Sequence, residues 1–242
     1  SAGEGPGLPA PWSGNVRGPS TSHAFSKPRK ADERIDAAKK DGRAVSDTWR
    51  TQVQLHTALE PHAAVAVWDL PNKLTVHVST QAVSWIADDI AEHFELNRES
   101  VTVRTGAVGG GFGAKATLQM EVIAAGELAR LANRPVRVAL DRADELIVGG
   151  LRPGQQIRLD LAATIGGDID AMKMEALGDA GVSVGTNCGL IGRVVYPTKA
   201  KRLEDYDVIT NGPPGKPFRA PGGPPSLFAI EGAVDAMAAQ RG

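Results

Sequence analysis

Val108-Gly-Gly-Gly-Phe-Gly-Ala-Lys115 lies between a run of strand character, Val101 to Thr105, and a run of helical character, Thr117 to Ala132. Glycine has no Cβ, so such a loop can take positive φ and bring bare backbone close to a neighbour. A helix following it would add a positive end suited to an anion. The plain alternative is a tight turn between strand and helix.

Upstream, the run His62 to Trp68, the turn Asp69-Leu-Pro-Asn-Lys73 and the alternating Leu74 to Thr80 predict an antiparallel hairpin. Gln81 is expected to start a helix with Val83, Ile86, Ala87, Ile90 and Phe94 inward and Asp88, Asp89 and Glu92 outward. Downstream of the loop, the predicted helix puts Leu118, Val122, Ala125, Leu128 and Ala129 on one face and stops at Asn133-Arg134-Pro135. A strand over Val136 to Leu140 follows.

Gln155 to Ala163 and Asp168 to Leu177, separated by Gly166-Gly167, predict a second hairpin. From Gly178 to Val195 the pattern is irregular, and Tyr206 to Thr210 reads as a strand. Asn211-Gly-Pro-Pro-Gly-Lys-Pro217 cannot be regular structure, because proline removes donors and restricts its predecessor. Phe218-Arg-Ala-Pro-Gly-Gly-Pro224 opens a last helix, Ser226 to Ala239, with Phe228, Ile230, Val234 and Met237 as core positions. No repeat of fixed period is present, and the mix of hairpins and helices favours an α+β fold with mixed sheets over a doubly wound one.

Residues 1–44 are expected to form an extended lead-in rich in Gly and Pro, with a candidate short helix at Ala31 to Lys40 capped by Gly42, Ile35 and Ala38 facing inward. Residues 45–242 would form the main domain. A net charge of -1 with 23% charged residues supplies neither a basic field for nucleic acid nor a block for a membrane surface. The locally basic stretch Lys27 to Arg43 is diluted by four acids and reads as a solvated face. A lone cysteine, Cys188, rules out an internal disulfide or an all-cysteine iron–sulfur site in this chain. No apolar run is long enough to span a bilayer. The start at Ser1 rather than Met is expected of a processed or excerpted segment.

The glycine loop fits two phosphate motifs imperfectly. The P-loop pattern fails because Ala114 precedes Lys115 and Ala116 follows it, leaving no hydroxyl for Mg²⁺. A dinucleotide pattern can be drawn through Gly109, Gly111 and Ala114, with Asp141 ending the next strand, and it makes an NAD(P)-dependent oxidoreductase the alternative reading. The flanking pieces, however, read as hairpins rather than βαβ repeats.

Four stretches account for more positions together: Leu59-Glu-Pro-His-Ala-Ala-Val-Ala66, Ser79-Thr-Gln81, Gly109-Gly-Gly-Phe-Gly-Ala-Lys115, and Phe218-Arg-Ala-Pro-Gly-Gly-Pro224 before a helix carrying Glu231 and Asp235. In order and spacing the chain resembles the middle part of the molybdenum-binding subunit of the xanthine dehydrogenase and aldehyde oxidase family, over residues 45–242. The resemblance implies a molybdopterin-binding domain of that type. It implies molybdenum held through a pterin, in the cytosine dinucleotide form usual in bacteria, with no metal ligand from the chain itself. By position, Gln81 would hydrogen-bond the molybdenum's apical oxo group, and Gly110, Gly111, Phe112 and Gly113 would touch the cofactor. Phe218, Arg219 and Ala220 would line its substrate side.

The implied activity is an oxidoreductase that hydroxylates an aldehyde or N-heterocycle with water as oxygen source, working only in a complex. A [2Fe–2S] subunit, an FAD subunit and a further chain completing the molybdenum subunit are implied as partners, with a cytoplasmic location and the periplasm as alternative. Two departures bear on this. The glutamate base would come from a Gly-Glu segment downstream of Gly242, so a non-catalytic, degenerate relative is a further alternative. Ala116 and Pro221 stand where purine-oxidising members carry a glutamate and an aromatic, which favours a small carbonyl or another heterocycle over a purine.

Other candidates read as structural. His56 and His62 near Glu60 could recruit zinc only with a third ligand. Glu60 reads as a hydrogen-bonded turn carboxylate, Glu231 and Asp235 as solvent-facing acids, and Cys188 as an ordinary thiol. Lys115 is either a cofactor or phosphate contact or a snorkelling surface lysine.

Overall fold

The structure is a computed structural model and describes residues 10–21, 26–185 and 187–241. In chain order the elements are β1 (Trp12–Ser13), β2 (Val16–Thr21), α1 (Pro28–Lys40), β3 (Ala44–Thr51), β4 (Gln54–Leu55), β5 (Ala63–Leu70), β6 (Lys73–Val78), α2 (Val83–His93) and β7 (Val101–Arg104). There follow α3 (Met120–Ala132), β8 (Val136–Ala139), α4 (Arg142–Val148), β9 (Leu151–Arg152), β10 (Gln155–Ala163), β11 (Ile169–Gly181), α5 (Cys188–Val194), β12 (Ala200–Ile209) and α6 (Gly223–Arg241). The chain divides into two interleaved units: Ser1–Gln54, Arg152–Gly215 and Ala220–Gly242 form the first, Leu55–Leu151 and Lys216–Arg219 the second. Both are α+β.

The first unit is built on a six-stranded sheet in the order β1-β2-β12-β11-β10-β3. Its centre is the hairpin marked by Gly166-Gly167, with Leu159 opposite Met174. Alternation sends Ile157, Leu159 and Leu161 to one face, where they pack with Met172, Met174 and, from α6, Ile230, Ala233 and Met237. Each buried Ile, Leu or Met among them contributes about 1.5–3 kcal/mol. On the opposite face Ala162, Ala171 and Ala200 meet Ala31, Ile35 and Ala38 of α1. That helix starts with Pro at its first position and ends on Lys39 and Lys40, the arrangement the helix dipole favours.

Several expectations for this unit are corrected. The stretch after Gly178 continues β11 to Gly181 and then forms α5, whose glycines hid it: Gly192 lies against Leu203, where an added Cβ would come within 3.0 Å of Leu203 Cδ2. Strand β12 begins at Ala200, earlier than Tyr206, because its first residues are charged and it pairs in parallel with β11. Phe228 is 55% exposed, since the buried stripe of α6 runs through Ala229, Ile230, Ala233 and Met237. Of the lead-in, residues 1–9 and 22–25 lie outside the described residues, and Val16–Thr21 pairs with β12.

The second unit has a four-stranded sheet, β7-β6-β5-β8. The predicted hairpin is β5–β6, with Ala64 opposite Val78, and β8 adds antiparallel to β5. β7 lies parallel to β6 and is reached through α2. Parallel neighbours need a crossover, so this is a βαβ unit where hairpins alone were expected. Ala64, Ala66, Leu74, Val76 and Val78 pack with Ile86, Ala87 and Ile90 of α2 and Val122, Ala125 and Ala129 of α3.

Two helix starts and two core positions here also differ from expectation. Gln81 does not start α2; its N–H donates to the Lys115 carbonyl (2.9 Å), and Thr80 Oγ1 accepts from the Ala82 N–H (3.0 Å), which keeps this segment out of the helix. α3 begins at Met120 rather than Thr117. Leu128 is 48% exposed and Glu121 takes a buried place, because the inward stripe uses the small residues Ala125, Gly126 and Ala129. Val83 is 37% exposed on the first turn of α2. No helix among the described residues is long and apolar enough to cross a membrane.

Candidate functional site

The second unit brings Gln81, the glycine loop, Phe218 and Arg219 into one compact body. Gly109 donates its N–H to Glu60 Oε2 (2.7 Å) and accepts from the Glu60 N–H (3.1 Å). Gly113 donates to Gln81 Oε1 (2.9 Å). The bare backbone is required by the protein's own neighbours. A Cβ at Gly111 would lie 2.4 Å from Gln81 Oε1, and one at Gly113, where φ is +115°, would lie 2.3 Å from the Pro217 carbonyl oxygen.

Phe112 itself holds a left-handed φ of 53°, a conformation costing about 1 kcal/mol or more in a residue with a side chain. Its carbonyl accepts from the Arg219 N–H (2.7 Å), which ties the arginine turn to the loop. The Phe112 and Phe218 rings stack at 6.3 Å with an 18° interplanar angle, and His56 stacks on Phe218 at 4.6 Å. Ala220 starts the next segment of the first unit.

Three successive N–H groups, those of Gly110, Gly111 and Phe112, have no acceptor among the described residues. The Gln81 oxygen is used by Gly113, so its Nε2 keeps both hydrogens available. A run of unpaired amides beside a primary amide is a donor set for ligand oxygen or sulfur atoms. These donors fit a cofactor rich in such acceptors.

Lys115 follows neither expected role. It is fully buried, and its Nζ donates to Glu60 O (2.7 Å), Ser79 Oγ (2.8 Å) and Glu60 Oε2 (3.1 Å). Burial pushes the Glu60 carboxyl up, but hydrogen bonds from Ser79, Gly109 and Lys115 outweigh it and hold it below the ordinary range. Glu60 is the hydrogen-bonded turn carboxylate its sequence setting predicts.

The histidines are structural. The Glu145 carboxylate accepts from both the backbone N–H and Nδ1 of His62 at 2.9 Å, and His56 bridges the Gly150 and Pro217 carbonyls. Burial raises the Glu145 carboxyl, and the His62 contacts more than reverse it. No cluster of three metal-ligating residues occurs among the described residues. Sequence reasoning missed Glu121, whose Oε1 is buried without a partner and whose pKa burial raises, and Lys216, pushed down by burial.

In the first unit Cys188 is buried, and burial together with Asp205 raises its thiol well above the usual range. Glu231 is an exposed acid and accepts from the Tyr196 hydroxyl (3.0 Å).

The dinucleotide reading is not supported. α3 starts at Met120, so no helix end meets Gly109, Gly111 or Ala114, and the N–H groups of Gly109 and Gly113 are taken by side chains.

The profile of the molybdopterin cofactor-binding domain family matches residues 19–242. The chain is 33% identical over 203 residues to the aldehyde oxidoreductase molybdenum-binding subunit PaoC of Escherichia coli strain K12, covering 82% of this chain and 27% of that subunit. It is 29% identical over 211 residues to the nicotinate dehydrogenase large molybdopterin subunit of Eubacterium barkeri, covering 84% of this chain and 49% of that one. Among solved structures, quinoline 2-oxidoreductase from Pseudomonas putida 86 shares the fold with a TM-score of 0.82 at 24% identity, over 95% of this chain and 30% of that one. The chain thus spans between a quarter and a half of these curated relatives.

Proposed function

Because the chain belongs to the molybdopterin cofactor-binding domain family, in the xanthine dehydrogenase and aldehyde oxidase group, we propose that its second unit supplies part of the cofactor pocket of a molybdenum hydroxylase. The observation that carries this reading is the donor set formed by the unpaired amides of residues 110–112 and Nε2 of Gln81. When bound, the molybdenum cofactor supplies the two-electron oxidation chemistry.

The chain's own residues bind and orient. Gln81, its oxygen fixed by Gly113, would hold the cofactor through its free N–H₂, a donor that does not compete as a metal ligand. The backbone of residues 110–113 would hold the pterin through its open N–H groups. Arg219, presented by a backbone bond to Phe112, would line the substrate side with Phe218 and offer charge for an anionic oxygen. The resemblance implies a general base from a glutamate outside this chain; within it, the carboxylates of Glu60 and Glu145 are committed to the donors around them.

The substrate class is an aldehyde or an N-heterocycle, hydroxylated with oxygen from water. The relatives' names, an aldehyde oxidoreductase and a nicotinate dehydrogenase, fit those two classes. The cofactor is assigned as the cytosine dinucleotide form, held by residues 45–242. Electrons leave to a [2Fe–2S] subunit and an FAD subunit, in the cytoplasm or periplasm; the single cysteine gives this chain no cluster site of its own. Elemental analysis of the native complex tests the reading: stoichiometric molybdenum with an iron-containing partner supports it, and molybdenum-free complex overturns it.

A further inference from the structure

Lys115 is 1% exposed, and a buried ammonium persists only where strong acceptors surround it. Its acceptors come from two segments: the Glu60 carbonyl and carboxylate at 2.7 and 3.1 Å, and Ser79 Oγ at 2.8 Å. Ser79 Oγ also donates to Glu60 Oε2 (2.6 Å), so the three groups close a ring of hydrogen bonds. Three donors on one tetrahedral nitrogen match three acceptors.

The backbone of the same residue holds a third element. Its carbonyl accepts from the Gln81 N–H (2.9 Å) and from Thr80 Oγ1 (3.0 Å). Glu60, gripped by the ammonium, in turn fixes Gly109 through two hydrogen bonds. The glycine loop is therefore pinned at its first residue through Glu60 and at its far end by Lys115, with Gln81 bonded to Gly113 in between.

We propose that Lys115 is a positioning residue whose buried ammonium keeps the Gln81 amide in register with the unpaired N–H groups of residues 110–112. The inference rests on the reading that these two donor sets serve the cofactor, but the clamp is a property of this chain alone. Its removal loosens two loops and leaves the sheet and α3 intact, because the core of the second unit is apolar and lies elsewhere.

The test uses Lys115→Met and Ser79→Ala in the native complex, read by hydrogen–deuterium exchange, molybdenum content, and kcat and KM. Lys115→Met is expected to raise exchange on the order of tenfold in peptides over residues 79–82 and 109–115, with α3 and β5–β6 unchanged. In molybdenum-loaded complex, kcat falls while KM changes little. Ser79→Ala, which removes the bond from Lys115 and the bond to Glu60 but keeps the charge, gives the same local pattern at smaller amplitude and decides the matter if Lys115→Met does not fold. Wild-type exchange in both loops, or a uniform rise that includes α3, overturns the proposal. A wild-type complex without molybdenum overturns the functional reading instead, while the exchange pattern still decides the clamp.

Discussion

The backbone N–H of Gly113 donates to Oε1 of Gln81 at 2.9 Å, and the missing Cβ of Gly111 leaves the space that this amide fills. Two glycines in one loop therefore serve different neighbours. Gly111→Ala places its Cβ 2.4 Å from the end of a movable side chain, so the expected result is a folded protein with Gln81 displaced and activity lost. Gly113→Ala meets backbone at Pro217 and is strained at φ +115°, so its expected cost is stability, about 1–3 kcal/mol or more. Melting temperatures and kcat measured side by side separate the two, and the idea fails if both variants lose stability alike.

Gln81→Glu keeps an oxygen for Gly113 but deletes the N–H₂ that faces outward. The fold is expected to survive, since the residue is exposed and outside α2. Loss of one preorganised donor commonly costs about 10²-fold or more in kcat. Steady-state kinetics of the loaded complex check this, and unchanged kcat would remove Gln81 from the site.

Most of the sheet skeleton was legible because it rests on local pattern. The hairpins β5–β6 and β10–β11 were readable from alternation and turn chemistry, and α1 from its spacing. Elements built on small or charged residues were not: α5 is glycine-rich, and β12 opens with Ala200, Lys201 and Arg202. The loop itself was visible as a loop, but what its glycines approach was not, since Glu60, Gln81 and Pro217 are distant in sequence. Lys115 shows the limit most plainly. Its partner Glu60 is 55 positions away, and no periodicity links an ammonium to a carboxylate across that distance.

Glu145 is 3% exposed, and its carboxyl is lowered from an ordinary 4.5 because the His62 contacts outweigh the burial that raises it. A depressed folded-state value means the stabilisation is fully present above 4.5 and is lost as pH falls through the lowered value. Urea midpoints are therefore expected to drop on acidification below that point. Glu145→Gln should be less stable at pH 7 and show a flatter acid limb; an acid limb identical to wild type would rule Glu145 out as its source.

Asp205 works in the opposite sense. Burial, helped by Asp207, pushes its carboxyl from 3.8 up to about 7, although the Gly189 N–H donates to it at 3.0 Å. With the folded-state value raised, the native state binds the proton more tightly than the unfolded chain, so the contribution of Asp205 to stability is fully present below 3.8 and is lost as pH rises through about 7. The cause is a carboxylate sealed beside a second acid, with Arg17 engaged on Asp207 at 3.0 Å. Asp205→Asn keeps an acceptor for Gly189 and cannot ionise. It is expected to raise the unfolding midpoint at pH 8, leave it nearly unchanged at pH 4, and flatten the slope between. A variant destabilised equally at both pH values would show that Asp205 contributes through its hydrogen bonds rather than its proton.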